Sequence, residues 1–482
     1  MMQRRDFLQL SGLAAIQAIG PRGATSQEAN RLRDIEALVT AKMAEYHVPG
    51  VALGIVKAGR LETRVFGITS VESPQPITVD TVFPIMSITK TVGATAIMRL
   101  VQDGKLALDA PVQRYIPDFR VKDESASRAV TIAHLLSHTP GWEGQLPIDD
   151  RGAETHARFT TGLRELSQLA APGEVWSYNN AGFGIVGRLL EVATGTTIHA
   201  AFRDLVFAPL DLSRAFTQTG TAMTHRFAVA HRQDKSGQTE VIRPFELPLN
   251  VPAGGGAMSL ANLLLYAQFH LNGGTAAGRQ VLSQALTHQM RIPYVKKHGT
   301  TDEMGLGWHL RRLNGVQTAA QGGTGGGHCL HVQFVPDREL AFAILTNHAE
   351  GWRLVQHVER AILESYEKLA VSQSQATGGN RGVSEDMRVH AKPVVPQPSL
   401  DQYAGKYERP PITGYELRVD GGALRSGSAP GSSYVFYGPD VAYVASVGDT
   451  GSGYVGMPVE FIRNAAGAVG WIRVNGRIAR KA

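Results

Sequence analysis

The strongest constraint on this chain is the octet Phe83-Pro84-Ile85-Met86-Ser87-Ile88-Thr89-Lys90 and the run that follows it. Thr91 to Val101 is small and apolar, the texture of a buried helix, and Asp103-Gly104 supplies a glycine C-cap. Pro84 suits a loop or a first helical turn. Residues three apart share a helix face, so Lys90 stacks beside Ser87 at the start of a helix sunk in the core. Backbone N–H groups at such a terminus are free to bind an oxyanion. Burial favours an uncharged lysine that can act as a base, and a serine hydroxyl needs a base to become a nucleophile at neutral pH. By itself the spacing is weak. Ser-x-x-Lys recurs at Ser365-Tyr366-Glu367-Lys368, where a charged amphipathic helix makes it a solvated face, and an ordinary helix start would also account for Ser87.

The order of elements around the octet indicates two domains, as the 482-residue length does. Glu28 to Tyr46 carries a helical stripe of Leu32, Ile35, Leu38, Val39 and Met43. Two strands, Val51 to Lys57 and Glu62 to Gly67, are joined by Ala58-Gly59-Arg60 as a hairpin. Leu106 to Phe119 reads as a loop. Short helices are expected at Thr131 to His138 and at Thr160 to Leu169, and longer ones at Gly182 to Thr194, Leu260 to Leu271 and Trp352 to Leu369. Pro252-Ala253-Gly254-Gly255-Gly256 reads as a glycine loop, and strands are expected at Met304 to Leu310, His331 to Val335 and Leu340 to Thr346. Residues 373–399 are rich in Ser, Gln, Gly and Pro and read as a linker. From residue 400 to 482, short β-prone runs between glycines indicate a small all-β domain, a barrel or a sandwich. Residues 26–372 are expected to form the first domain and to be separable from the second.

Residues 1–25 read as an address. Gln3-Arg4-Arg5-Asp6-Phe7-Leu8 has the twin-arginine export pattern, and Leu8 to Ile19 is an h-region too short to span a bilayer. The expectation is an exported protein, periplasmic or secreted, without a membrane span. The alternative for this stretch is a frayed N-terminal helix. With one cysteine, Cys329, no intramolecular disulfide is possible. The net charge of +6 includes terminal arginines and lysine and forms no basic stripe interleaved with aromatics, which argues against nucleic acid as a partner.

Three segments complete the pattern: Ser87-Ile88-Thr89-Lys90, Tyr178-Asn179-Asn180, and the glycine turn Gln321-Gly322-Gly323-Thr324-Gly325-Gly326-Gly327. With them come Leu108-Asp109-Ala110-Pro111-Val112, His134-Leu135-Leu136-Ser137-His138-Thr139-Pro140-Gly141 and Pro172-Gly173-Glu174-Val175-Trp176-Ser177. Over about residues 30–369 the chain resembles the serine β-lactamase and penicillin-binding protein family, in the branch of class C β-lactamases, D,D-carboxypeptidases, D-aminopeptidases and family VIII esterases. The resemblance implies an α+β fold, an antiparallel sheet flanked by helices with an inserted helical subdomain, here followed by the small all-β domain. It also implies roles. Ser87 attacks a carbonyl and forms an acyl-enzyme. Lys90 and Tyr178 share the general-base work, a neighbouring ammonium stabilising the phenolate. The backbone N–H groups of Ser87 and Thr324 form the oxyanion hole, and Asn180 positions Lys90 and a substrate oxygen. A core tyrosine and a turn asparagine are the plain alternatives for Tyr178 and Asn180. No cofactor is implied.

The third segment departs from the family. Most relatives carry Lys or His, then Thr or Ser, then Gly, whereas Gln321-Gly322-Gly323 lacks the cation and hydroxyl that hold a substrate carboxylate. Esterase-like members depart in the same way. The expected activity is therefore a serine hydrolase acting on a small ester or amide, with esters favoured unless an Arg or Lys reaches in from elsewhere. D-aminopeptidase, D,D-carboxypeptidase or β-lactamase activity is the alternative, and a silent penicillin-binding sensor a further one. His134 and His138 have the i, i+4 spacing of helical metal ligands but lack the glutamate of a metalloprotease. Strand alternation splits His328, Cys329 and His331 between two faces, so no metal is expected. His328, just after the glycine turn, is a candidate substrate contact. No Gly-x-Ser-x-Gly occurs, which removes the α/β-hydrolase reading.

Overall fold

A computed structural model describes residues 26–146, 155–297, 302–370, 399–427, 432–446 and 458–482. The proposed leader, residues 1–25, and nearly all of the linker lie outside the described residues. Among those described, no helix is long and apolar enough to cross a membrane.

The first domain is built on an eight-stranded antiparallel sheet. Its strands run in the order Val295–Lys296, Glu303–Met304, His309–Leu313, Val316–Gly325, His328–Val335, Leu340–Thr346, Gly50–Lys57 and Arg60–Gly67. The two ends of the domain meet inside it, where Val51 pairs with Thr346 and Lys57 with Leu340. Gly50–Lys57 is buried on both faces and reads accordingly as a continuous apolar run, whereas Arg60–Gly67 at the edge is largely exposed and charged. The N-terminal helix Ser26–Glu45 and the final helix Gly351–Glu367 cover one face, closing a core that includes Ile35, Val39, Phe342 and Val358. The other face carries the larger core, with helices Thr89–Gln102, Asn180–Thr194 and Leu260–Leu271.

Several expectations shift in detail. Pro252 to Gly256, expected as a loop, begins inside a single helical turn, Val251–Gly254, and the strand expected at Met304 to Leu310 is two, Glu303–Met304 and His309–Leu313. The helix expected at 160–169 lies at Thr155–Gly162 with a further single turn at Leu163–Glu165. Phe159 and Leu163 are buried in the large core, and the chain then extends so that Gln168 bridges to Trp142. The glycine-rich segment 321–327 is mostly strand rather than turn. Val316–Gly325 pairs with His328–Val335 through Thr324 opposite Cys329, and only Gly326 and Gly327 make the turn. Lys368 of the second Ser-x-x-Lys is an exposed left-handed C-cap, which agrees with a solvated helix end.

The second domain is a closed eight-stranded antiparallel barrel running from Gly405–Arg409 to Arg477–Lys481, closed by Tyr407 opposite Lys481. Tyr403, Tyr407, Phe436 and Phe461 fill its centre. Its outer surface is not free of the first domain. Ile462, Trp471 and Ile478 pack against Leu169, Ala170 and Val175, and Trp471 Nε1–H donates to the Leu169 carbonyl at 2.7 Å.

Candidate active site

Ser87 lies in a single 3-10 turn, Met86–Ile88, that runs directly into the helix Thr89–Gln102. Met86 has a φ of 46°, a left-handed conformation unusual for a residue other than glycine, so the nucleophile is presented by a strained turn. Thr89 Oγ1 donates to the Met86 carbonyl at 2.6 Å and accepts from Gly256 N–H at 3.0 Å, which pins the turn to the glycine loop. Eleven of the fourteen residues of the helix are buried, Lys90 completely.

The expected trio converges. Lys90 Nζ donates to Ser87 Oγ at 3.1 Å, and the Tyr178 hydroxyl donates to the same oxygen at 2.7 Å. Lys90 Nζ lies 4.8 Å from the Tyr178 ring centre. Burial holds the Lys90 ammonium well below its ordinary pKa, and the charge of Arg477 adds to that shift. The Tyr178 phenol is pushed up to about 12 by burial, against smaller opposing effects from the Ser87 hydrogen bond and from Arg477. Burial thus biases Lys90 toward a neutral amine and Tyr178 toward a neutral phenol, because desolvation disfavours both charged forms, whereas the resemblance implied an ammonium beside a phenolate.

Other candidates sit differently from expectation. Lys90 Nζ donates to the Ala253 carbonyl at 2.5 Å, so the helical turn Val251–Gly254 orients it. Asn180 instead places its side-chain amide 3.4 Å from Gln145 Oε1, and its own carbonyl accepts from Asn250 Nδ2 at 2.9 Å. Its neighbour Asn179 is the structural residue: it caps the helix Asn180–Thr194, accepting from Gly182 N–H at 2.7 Å and donating to the Trp142 carbonyl at 2.9 Å. Gln321 is buried, its amide donating to the Gly322 carbonyl at 3.1 Å. Gly323 brings its strand so close to the nucleophile turn that a Cβ there would lie 2.3 Å from the Ile85 carbonyl oxygen. Thr324 follows on the same strand. His328 is fully buried, 2.9 Å from the Ala228 carbonyl and edge-on to Phe245, and burial lowers its pKa to about 4. It is a core side chain here, not one open to substrate.

The other candidate histidines make contacts within the fold. His134 closes a capping box with Thr131. His138 is buried, accepts from Asn179 N–H at 2.9 Å, and stacks on the Tyr178 ring at 4.7 Å. Cys329 and His331 face the final helix, His331 lying 3.9 Å from Glu359, while His328 turns the other way. Among the described residues no group of three or more His, Cys, Asp or Glu side chains could hold a metal ion.

One neighbour of the site was not anticipated. Arg477, on the last hairpin of the barrel, lies 5.8 Å from the Tyr178 ring centre, and its Nη1 is 3.7 Å from Oε1 of the buried Glu143. The sequence signal was present in Asn475-Gly476, a two-residue hairpin turn. Nothing local connected that turn to residue 178.

A family model described as Beta-lactamase matches residues 35–367. Penicillin-binding protein 4 of Amycolatopsis lactamdurans is 32% identical over 378 residues, 77% of this chain and 95% of that protein. Esterase EstB of Burkholderia gladioli is 33% identical over 259 residues, 50% of this chain and 64% of that protein. Among solved structures, SurE superimposes with a TM-score of 0.78 at 24% identity, over 94% of this chain and 100% of SurE. The octameric penicillin-binding protein homologue from Pyrococcus abyssi gives 0.62 at 22%, over 90% and 96%. Both structural likenesses concern the fold, and they reach beyond residue 367 into the barrel. The extent of the family match and the near-complete overlap with penicillin-binding protein 4 place this chain in the β-lactamase family.

Proposed function

We propose that the protein is a serine hydrolase that cleaves a small ester or amide through an acyl-enzyme on Ser87. The observation that carries this reading is that Ser87 Oγ is within hydrogen-bond distance of both Lys90 Nζ and the Tyr178 hydroxyl, with Lys90 buried. A desolvated amine has a lone pair available at neutral pH. As Ser87 Oγ bonds to the carbonyl carbon, its proton passes to Lys90. The phenol of Tyr178 protonates the departing alkoxide or amine and is reprotonated by Lys90, so that the pair ends neutral. Water then attacks the acyl-enzyme by the same relay in reverse. The backbone N–H groups of Ser87 and Thr324 are the proposed oxyanion donors. The close approach that Gly323 permits between its strand and the nucleophile turn supports this assignment.

Esters are the favoured substrates. Gln321 and Gly322 stand where most relatives have a cation and a hydroxyl, and Arg477 is turned toward Glu143 and the Tyr178 ring. A cation–carboxylate hydrogen bond is worth about 1.5–3 kcal/mol, so losing it costs about tenfold to a few hundredfold on substrates that present a carboxylate. The relative named esterase EstB supports the same choice, while the one named penicillin-binding protein 4 supports the D,D-peptidase alternative. The Gln3 to Leu8 pattern adds export to this reading.

A fluorescent phosphonate should label wild-type protein and leave Ser87→Ala unlabelled, while Ser365→Ala labels normally. A short-chain p-nitrophenyl ester should give a kcat/KM well above that of any cephalosporin or D-Ala-D-Ala peptide. Full labelling of Ser87→Ala would remove the hydrolase reading. Efficient cephalosporin turnover would remove only the ester preference.

A further inference from the structure

The last hairpin of the barrel is bonded to the segment that delivers Tyr178. Asn475 and Gly476 form its turn with φ of 52° and 75°, the left-handed pair that an Asn-Gly hairpin adopts. Arg473 Nη1 donates to the Trp176 carbonyl at 3.1 Å, Ile478 N–H donates to Ser177 Oγ at 3.2 Å, and Tyr178 N–H donates to the Gly476 carbonyl at 2.8 Å. Three consecutive residues, 176 to 178, are thus each held from the barrel. The first domain holds the next residue, Asn179, through Trp142 and His138.

We propose that this hairpin is part of the catalytic apparatus: Arg477 is a positioning residue that holds its guanidinium charge against the Tyr178 ring, with Glu143 fixing the guanidinium in place. The inference rests on the assignment of Lys90 and Tyr178 as the base pair of the site. It differs from a substrate-binding role, because Arg477 would act on every substrate, charged or not.

The charges around Tyr178 make the sign definite. Lys90 faces it from the nucleophile helix, and His138, held neutral by burial, stacks on it. Arg477 faces it from the barrel, with Glu143, Arg409 and Tyr415 around the guanidinium. His309 and Lys297 lie behind Trp176 at 6.0 and 5.0 Å from its ring. Arg477 lowers the proton affinity of both Lys90 and Tyr178. It thereby favours the deprotonated base at a given pH. Removing it should make the pair hold its proton to higher pH.

The test uses the full-length chain and a neutral fluorophosphonate, which reports Ser87 reactivity without knowledge of the natural substrate. Its labelling rate is measured against pH for wild type, Arg477→Gln, Arg477→Met and Arg477→Lys, with a thermal melt of each. The rising limb belongs to the Lys90–Tyr178 pair as a unit. Both neutral replacements should move it up by about one pH unit or more, the effect of a charge at this range, while Arg477→Lys stays near wild type. Rates that fall equally at every pH, with the limb unmoved, would mean a merely structural hairpin and overturn the inference. So would unchanged labelling in the neutral variants; a loss confined to carboxylate-bearing substrates would then assign Arg477 to substrate binding. Absence of labelling in wild type is a different failure, that of the hydrolase reading itself.

Discussion

At the scale of residues, the site depends on what burial does to a lysine and a tyrosine. Both are driven toward their neutral forms, which leaves Lys90 suited to accept the Ser87 proton and Tyr178 suited to donate one to a leaving group. Lys90→Ala and Tyr178→Phe should each lower kcat by about 10²-fold or more, as loss of a general base does. Because one relay serves both, the double variant should be little worse than the poorer single one. Additive losses in steady-state kinetics would assign the two residues independent tasks. The same desolvation acts on histidines away from the site. His270 is lowered to about 3 and His348 to about 4, both mainly by burial, from an ordinary 6.5. Such groups bind protons in the unfolded chain before they do in the folded one. Their contribution to stability is complete above about pH 6.5 and is lost as pH falls toward the folded values. The midpoint of thermal unfolding should accordingly drop as pH falls from 6.5 to 4.

At the scale of elements, two features decide where the trio meets. The first is the helix Asn180–Thr194, whose N-cap Asn179 also anchors the Trp142 carbonyl. Asn179→Ala removes both bonds one residue from the phenol. A stability loss of about 1–2 kcal/mol, measured by denaturant midpoint, is expected from the cap alone. The second is the approach of the strand Val316–Gly325 to the nucleophile turn. A Cβ at Gly323 would meet the Ile85 carbonyl oxygen at 2.3 Å, and neither backbone can yield without moving Met86, already at positive φ. Gly323→Ala should therefore lower the phosphonate-labelling rate by about tenfold or more, with an overpacking cost to stability of about 1–3 kcal/mol. An alanine variant with wild-type labelling would show that the strand is not part of the oxyanion site.

At the scale of the whole molecule, the first domain is expected to fold without the barrel, but its active site is not independent of it. The first domain holds the nucleophile, lysine and tyrosine, and its sheet closes on itself through the pairing of Gly50–Lys57 with Leu340–Thr346. Yet the barrel covers Leu169, Ala170 and Val175 and bonds residues 176 to 178. A chain ending at residue 372 should retain the far-ultraviolet spectrum of its sheet and helices. It should melt at lower temperature than the full chain and lose about tenfold or more of its Ser87 labelling rate. A truncated chain with full reactivity would return the barrel to the status of an appended module.

The sequence by itself determined the parts whose physics is local. An apolar run of small residues after Ser87-x-x-Lys90 can only be a buried helix, and burial beside a hydroxyl is most of what the lysine needs. The helical stripe from Leu32 to Met43 and the hairpin at Ala58-Gly59-Arg60 followed from periodicity and turn chemistry, and both are observed. His328 fared differently, since a histidine after a glycine turn can as readily face Phe245 as solvent. Only the tertiary structure decided that Ala253 holds the lysine, that His138 lies flat on the tyrosine, and that Arg477 comes to it from the barrel. These contacts join residues separated by 163, 40 and 299 positions. No window of periodicity spans such distances. They are settled when the first sheet closes and the barrel docks, because burying Trp471 and Ile478 against Val175 brings Gly476 within reach of the Tyr178 N–H.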